Sequence, residues 1–182
     1  MARRARVLVA DPPWPFRDSL PGKARGAAKN YTLLSLAEIC TFPLPPIHDD
    51  AWLFLWRVGS MQREALAVAR AWGFGDPISE LVWCKVTKNG KLRMGMGRTV
   101  RNSHEVCLLA RRGRPARASA GVPSWFAAEL GQHSEKPEAF YRAVEKFSAG
   151  PYVELFARRE RPGWTCYGAE LGRPAPGAPP AH

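Results

Sequence analysis

The sequence contains no long hydrophobic run. Its apolar stretches are all well below the roughly eighteen residues that a membrane-spanning helix needs. The first residues are basic, but no apolar core and small-residue cleavage site follow them, as they would in a signal peptide. We therefore expect a soluble chain without a membrane partner.

Cysteine and histidine are few and scattered along the chain. No two cysteines have the CxxC spacing, and no histidine lies close to a cysteine pair. This pattern argues against a disulfide framework and against a metal site, and it favours reduced thiols in a cytoplasmic protein. The residues concerned are Cys40, Cys84, Cys107, Cys166, His48, His104, His133 and His182.

Acidic residues are also scarce, since 27 Lys and Arg face 16 Asp and Glu and give a net charge of +11. The imbalance is strongest in the segment 85–117, where Glu105 is the single acid. Such a segment suits the neutralisation of phosphates and predicts a nucleic-acid partner. The alternative is a solvated, arginine-rich surface, as in a thermophilic or GC-rich organism. The candidate nucleic-acid-binding residues are Lys88, Lys91, Arg93, Arg98 and Arg101.

Short apolar runs alternate with segments of helical period, which predicts an α/β fold with a single, mostly parallel sheet. Ser35 and Glu38 have the spacing of a capping box, and Ser60 is a candidate cap for the second helix. The tail 172–182, GRPAPGAPPAH, is predicted to be disordered. The predicted strands are 7–10, 51–56, 78–86, 104–113, 152–159 and, as a short strand or turn, 164–171; the predicted helices are 35–41, 61–74 and 135–148.

The string DPPW, residues 11–14, directly follows the apolar run VLVA. Ligands of parallel α/β sheets bind beyond the carboxyl ends of the strands, which is where this string is expected to lie. Proline has no N–H, so Pro12 and Pro13 add carbonyl acceptors and no donors beside the Asp11 carboxylate. Several fixed acceptors match an exocyclic amine, and Trp14 offers a face on which a base could stack. The alternative is a proline-rich turn with a tryptophan in the core.

Taken in order along the chain, the motifs resemble those of the MT-A70 family of adenine-N6 methyltransferases. The resemblance covers residues 7–171 and implies a Rossmann-like methyltransferase domain within residues 1–171, which uses S-adenosylmethionine to methylate adenine in nucleic acid. The motifs that carry it are DPPW, NYTLLSLAEI, WLFLW, LVWCK, HEVCLLARRG, HSEKPEAFY and VELFAR.

The resemblance also implies roles for individual residues. The DPPW residues, Asp11, Pro12, Pro13 and Trp14, correspond to the catalytic motif, and Tyr31 to a residue that holds the target base. Loops 15–30 and 131–137 correspond to gates over the site. The implied cofactor-binding residues are Asp11, Lys136 (at the cofactor carboxylate), Glu154, Phe156, Arg158 and Glu170. Glu154 could alternatively be a buried structural acid paired with Arg158.

The sequence leaves several alternatives open. In the closing string YGAE, Ala169 replaces an amide residue of the family, so only Glu170 remains to accept ribose hydroxyls. DNA is the favoured substrate and RNA the alternative. A non-catalytic nucleic-acid-binding subunit is a further possibility, as is methylation of an amide or small amine. A homodimer or a partner subunit is compatible with the sequence.

Overall fold

A computed structural model describes residues 4–15, 33–95, 99–131 and 135–171. A seven-stranded sheet in the order β5-β3-β4-β2-β1-β6-β7 is flanked by helices. The strands are β1 Ala5–Ala10, β2 Ile47–Arg57, β3 Ser79–Val86, β4 His104–Arg112, β5 Trp125–Glu129, β6 Tyr152–Leu155 and β7 Trp164–Tyr167; the helices are α1 Leu36–Cys40, α2 Gln62–Ala71, α3 Glu138–Phe147 and the 3-10 helix Ala169–Leu171.

The sheet confirms the predicted α/β class and is mostly parallel. Strand β4 pairs antiparallel with both β2 and β3, whereas the other four pairings are parallel. Six strands therefore point in one direction, and the carboxyl ends of β1, β2, β3 and β6 share one edge of the sheet with the amino end of β4. We call this edge the rim.

Both faces of the sheet are buried, which explains the near-continuous apolar runs of the central strands. Leu8 and Ala10 of β1 pack into the cluster that includes α1 and α2, while Val7 and Val9 pack into the cluster that includes α3. The strand tryptophans Trp52, Trp56 and Trp83 are buried, as the packing interpretation of these residues predicts.

The helices differ from their predicted form mainly at their ends. Helix α1 begins with the predicted capping box, in which the Ser35 hydroxyl accepts from the Glu38 N–H and the Glu38 carboxylate accepts from the Ser35 N–H. The predicted Ser60 cap of α2 is wrong, because the cap position is Met61 and no side chain caps the helix. None of the helices in the described ranges is long and apolar enough to cross a membrane.

Two strands differ from the predicted ones. Strand β6 ends at Leu155 rather than residue 159, because Phe156 has a φ of 61° that takes the chain out of the extended conformation. Strand β5 was not predicted. It lies at the edge of the sheet, its residues are exposed or half-buried, and two of the five are alanine, which is depleted in strands.

Candidate active site

The DPPW residues leave the end of β1 at the rim, as the sequence predicts. The Asp11 side chain is 19% exposed and lies on the face of the sheet that α3 covers, where it meets Lys136. Pro12 and Trp14 are buried, and Pro13 is half-buried. The motif thus packs against the end of the sheet, and the Asp11 carboxylate stays partly exposed at the rim.

The Lys136 ammonium group lies between two carboxylates. Its Nζ is 2.9 Å from Asp11 Oδ2 and 2.9 Å from Glu105 Oε2, and it lies 4.7 Å from the centroid of the Trp56 ring. Lys85 Nζ contacts the other oxygen of Glu105 at 2.7 Å. Charges of alternating sign therefore run from the end of β1, through the amino end of β4, to the end of β3.

Burial and ion pairing oppose each other in this chain of charges, and pairing prevails. Burial acts to lower the pKa of Lys136, but the charges of Asp11 and Glu105 raise it above its ordinary value. Burial likewise acts to raise the pKa of Glu105, while Lys136 and Lys85 hold it below its ordinary value. Lys136 and Glu105 are therefore both charged at neutral pH, and the Asp11 carboxylate is held in direct contact with the Lys136 ammonium.

The position of Trp14 corrects the stacking role predicted for it. The residue is 5% exposed, and its indole N–H donates to the Trp56 carbonyl at 3.0 Å. Its ring belongs to the core on the α1 and α2 face, whereas the Asp11 side chain lies on the face that α3 covers and contacts Lys136 there. Trp14 anchors the motif to β2 rather than presenting an open face to a base.

The two proline carbonyls also have backbone partners. The Trp14 N–H donates to the Pro12 carbonyl at 2.8 Å, and the Leu34 N–H donates to the Pro13 carbonyl at 3.0 Å. A carbonyl oxygen has two lone pairs, so each can accept one further hydrogen bond. These bonds fix the direction of the carbonyls, as the rigidity of consecutive prolines predicts.

Glu154 lies at the end of β6, next to Asp11 on the rim. It is buried, and its Oε1 accepts from the Tyr141 hydroxyl of α3 at 2.9 Å. Burial raises the pKa of Glu154 to about 7, although the bond from Tyr141 acts to lower it. The group is therefore poised between its neutral and charged forms near neutral pH.

Most of the predicted cofactor-binding residues line one pocket at the rim. S-adenosylmethionine carries an ammonium, a carboxylate and an apolar purine, and the pocket offers carboxylates, cations and one aromatic ring. This mixture fits the chemistry of S-adenosylmethionine. The lining residues are Asp11, Glu135, Lys136, Tyr141, Glu154, Phe156, Arg158 and Arg159.

Three predicted residues lie wholly or partly outside the described residues. Tyr31 and Arg98 fall in undescribed ranges, as does most of the predicted gate 15–30 and the centre of the gate 131–137. The backbone of Glu170 is part of the 3-10 helix that follows β7, and its side chain lies outside the description. Their roles stay predictions.

The other basic candidates lie together in the connection between β3 and β4. The structure exposes Lys88, Lys91, Arg93 and Arg101 there, at the rim. Within the described ranges, no group of three His, Cys, Asp or Glu side chains could hold a metal ion.

Sequence reasoning missed Glu105, Lys85 and Tyr141 as members of the site. Glu105 did carry a signal, because it is the single acid in a long basic segment. Its position in the site depends on the antiparallel direction of β4, which brings the first residues of that strand to the rim. Tyr141 carried no comparable signal, since its position on α3 is equally compatible with a core residue.

Comparison with known proteins identifies one family model and several similar methyltransferases. The MT-A70 family model matches residues 5–170. The type II methyltransferase M.MunI of a Mycoplasma species is 29% identical over 189 residues, which cover 93% of this chain and 78% of the relative. The human N(6)-adenosine-methyltransferase catalytic subunit METTL3 is 29% identical over 171 residues, with 91% of this chain and 28% of the relative covered.

A third relative, the N(6)-adenosine-methyltransferase MT-A70-like protein of Drosophila melanogaster, is also 29% identical over 171 residues. The match covers 91% of this chain and 26% of that relative. The chain thus spans about a quarter of the length of these two animal relatives and most of the length of M.MunI.

Proposed function

The chain belongs to the MT-A70 family, and on that premise we propose that it transfers a methyl group from S-adenosylmethionine to the N6 amine of adenine in nucleic acid. The observation that carries the proposal is the DPPW motif at the end of β1, with the Asp11 carboxylate fixed by Lys136 at 2.9 Å. The geometry supplies acceptors where an amine would approach.

The DPPW residues would activate the amine by accepting its hydrogens. An aryl amine is a weak nucleophile because its lone pair is delocalised into the ring. Asp11 and the carbonyl of Pro12 or Pro13 would accept the two N–H groups and so favour a pyramidal nitrogen with a free lone pair. The same carboxylate would stabilise the positive charge that develops on nitrogen during the attack.

The pocket residues would hold the cofactor beside this motif. S-adenosylmethionine supplies an electrophilic methyl group when it is bound. Glu154 and Asp11 suit its ammonium, Arg158 suits a ribose or carboxylate oxygen, and Phe156 gives its purine an apolar contact. Lys136 already pairs with two carboxylates, so one N–H of its three is left for the cofactor carboxylate.

We favour DNA over RNA as the substrate. Many bacterial members of the family modify DNA, and the bacterial relative M.MunI matches 93% of this chain at 29% identity. The basic residues between β3 and β4 would contact phosphates, which are common to both nucleic acids.

The experiment that tests the proposal is incubation of the purified protein with labelled S-adenosylmethionine and matched DNA and RNA oligonucleotides, followed by digestion to nucleosides. We expect labelled N6-methyladenine nucleoside, with more product from DNA. Label in another nucleoside or in no nucleoside would contradict the proposal. Calorimetric titration with the cofactor would then distinguish a non-catalytic subunit, which gives no binding heat, from an enzyme with another substrate.

A further inference from the structure

The connection between β3 and β4 combines exposed apolar residues with positive charge. Leu92 and Met94 are each 61% exposed, and Val100 is 70% exposed. No acid occurs in residues 87–103. Large apolar side chains that stay in water on a charged surface mark a site of interaction. The described basic residues of this connection are Lys88, Lys91, Arg93 and Arg101, all of them exposed.

The first arm of this connection is an ordered hairpin. The Thr87 N–H donates to the Lys91 carbonyl at 2.8 Å, and the Arg93 N–H donates to the Lys85 carbonyl at 2.8 Å. Val86 and Leu92 form an antiparallel bridge between these two bonds. Leu92 and Arg93 therefore point to opposite sides of the ribbon, because side chains alternate along an extended chain. We call residues 85–95 the basic hairpin.

The base of the hairpin is held closed against the second arm. The Gly95 N–H donates to the Asn102 carbonyl at 2.8 Å, and the Lys85 N–H donates to the Ser103 carbonyl at 2.8 Å. A Cβ at position 95 would lie 2.5 Å from the Asn102 oxygen, so this close approach requires glycine. These hydrogen bonds hold the hairpin that carries Leu92 and Met94 in a fixed position.

The hairpin stands beside the proposed active site. Lys85 at its base contacts Glu105, which contacts Lys136, which in turn contacts Asp11. In the sheet, β3 and β1 are separated by β4 and β2, a distance of about 14 Å at the usual strand spacing. This separation is comparable with the width of about 12 Å of the major groove, so one duplex can contact both.

We infer that Leu92 and Met94 form an apolar wedge that enters a nucleic-acid duplex and fills the space left by the flipped target adenine. The inference rests on the proposed function and extends it to a paired substrate. An adenine amine inside a duplex cannot reach Asp11 unless the base leaves the stack. Leucine and methionine are among the side chains that proteins insert between base steps, and basic neighbours on phosphates orient them.

The first test compares three substrates with the same target strand: a matched duplex, a duplex with the target adenine opposite an abasic site, and the single strand. In the variant Leu92→Ala/Met94→Ala, turnover should fall about tenfold on the matched duplex and less than twofold on the other two, where flipping is cheap or unnecessary. Ile78→Ala is the matched control, because Ile78 is 55% exposed at the amino end of β3, on the opposite edge of the sheet. The control should not change turnover.

Equal losses on all three substrates, or no loss on the duplex, would overturn the wedge while leaving methylation itself intact. Turnover that is lost together with a shift from dimer to monomer in size-exclusion chromatography would assign the apolar residues to protein association instead, and would also overturn it.

The second test does not depend on methyl transfer. 2-Aminopurine replaces the target adenine in the duplex, and its fluorescence rises when the base unstacks. The parent protein should raise the fluorescence on binding, measured at saturation by anisotropy, and Leu92→Ala/Met94→Ala should bind with little rise. No rise with the parent protein, or the same rise with the variant, would overturn the inference even if methylation is observed.

Discussion

At the scale of single residues, the Lys136 ammonium is the most constrained group of the site. Its side chain is 8% exposed and its charge is balanced by Asp11 and Glu105. Taking two carboxylates and an ammonium out of water is costly, and the cost is offset only when each charge keeps its partner. The arrangement therefore makes the orientation of Asp11 depend on a residue 125 positions away in the sequence.

Removal of the ammonium tests this dependence. Lys136→Ala should lower the free energy of unfolding by about 3–5 kcal/mol, because it leaves Asp11 without its cation and leaves Glu105 with Lys85 as its remaining partner. Addition of Asp11→Asn to that variant should restore part of the loss, since the orphaned charge disappears. Urea unfolding of the two single variants and the double variant measures the coupling. Strictly additive losses would show that Asp11 and Lys136 do not interact.

The pKa of Glu154 predicts a dependence of stability on pH. The pKa is about 7 in the folded protein, against 4.5 for an ordinary glutamate, the value expected in the unfolded chain. The folded protein therefore holds a proton that the unfolded chain releases, so the contribution of Glu154 to stability falls as pH rises from about 4.5 to about 7. Glu154→Gln cannot lose this proton. Its stability relative to the parent should rise across the window by up to about 3 kcal/mol.

Thermal or urea unfolding of parent and Glu154→Gln between pH 4.5 and 8 measures this difference. A difference that is constant with pH would mean that Glu154 is ionised throughout, and that burial does not govern its protonation.

At the scale of elements, the DPPW turn is held by the indole of Trp14 against the end of β2. Trp14→Ala should lower the free energy of unfolding by about 3–5 kcal/mol, because it opens a cavity and leaves the Trp56 carbonyl without its donor. Trp125→Ala is the control, since Trp125 is 58% exposed on β5 and its loss should cost about 0.5 kcal/mol or less.

Urea midpoints of the two tryptophan variants give the comparison. If Trp14→Ala is as stable as Trp125→Ala and loses only affinity for nucleic acid, Trp14 is a stacking surface, as the sequence alone suggests, and the anchoring role is wrong.

The elements with strong local signals were predictable from the sequence. The buried strands β1 and β2 appear as apolar runs, the capping box of α1 appears as Ser35 and Glu38, and α3 has the helical period of its apolar residues. Each of these signals is local, since it depends on neighbours within a few residues. The position of DPPW at the rim followed because the string directly succeeds β1.

The features that depend on strand order and direction were not predictable. The sequence of β4 does not reveal that it runs antiparallel, and only that direction brings Glu105 to Lys136, 31 positions away. The burial of Trp14 was not predictable either, because an aromatic residue after a strand can face the core or the solvent. Edge strand β5 was missed because it has only five residues, two of which are alanine, a residue that is depleted in strands.

At the scale of the whole molecule, the positive charge is concentrated where the proposed substrate would bind. Lys88→Ala/Arg93→Ala should weaken nucleic-acid binding and reduce the salt slope of log K by about 1.8, if each residue contacts one phosphate. Arg63→Ala/Arg142→Ala removes the same charge from the exposed sides of α2 and α3 and serves as the control. Binding titrations at several salt concentrations give both slopes. Equal slopes for the two double variants would place the phosphate contacts elsewhere.

The most direct test of the central claim, that Asp11 activates an adenine amine, is single-turnover methylation by Asp11→Asn with enzyme in excess over oligonucleotide. The asparagine keeps the shape of the side chain but replaces a carboxylate oxygen by a donor and removes the charge that faces the developing cation. We predict a rate at least about tenfold lower, equivalent to about 1.4 kcal/mol, while the binding of nucleic acid is nearly unchanged. A near-normal single-turnover rate would contradict this account of the chemistry.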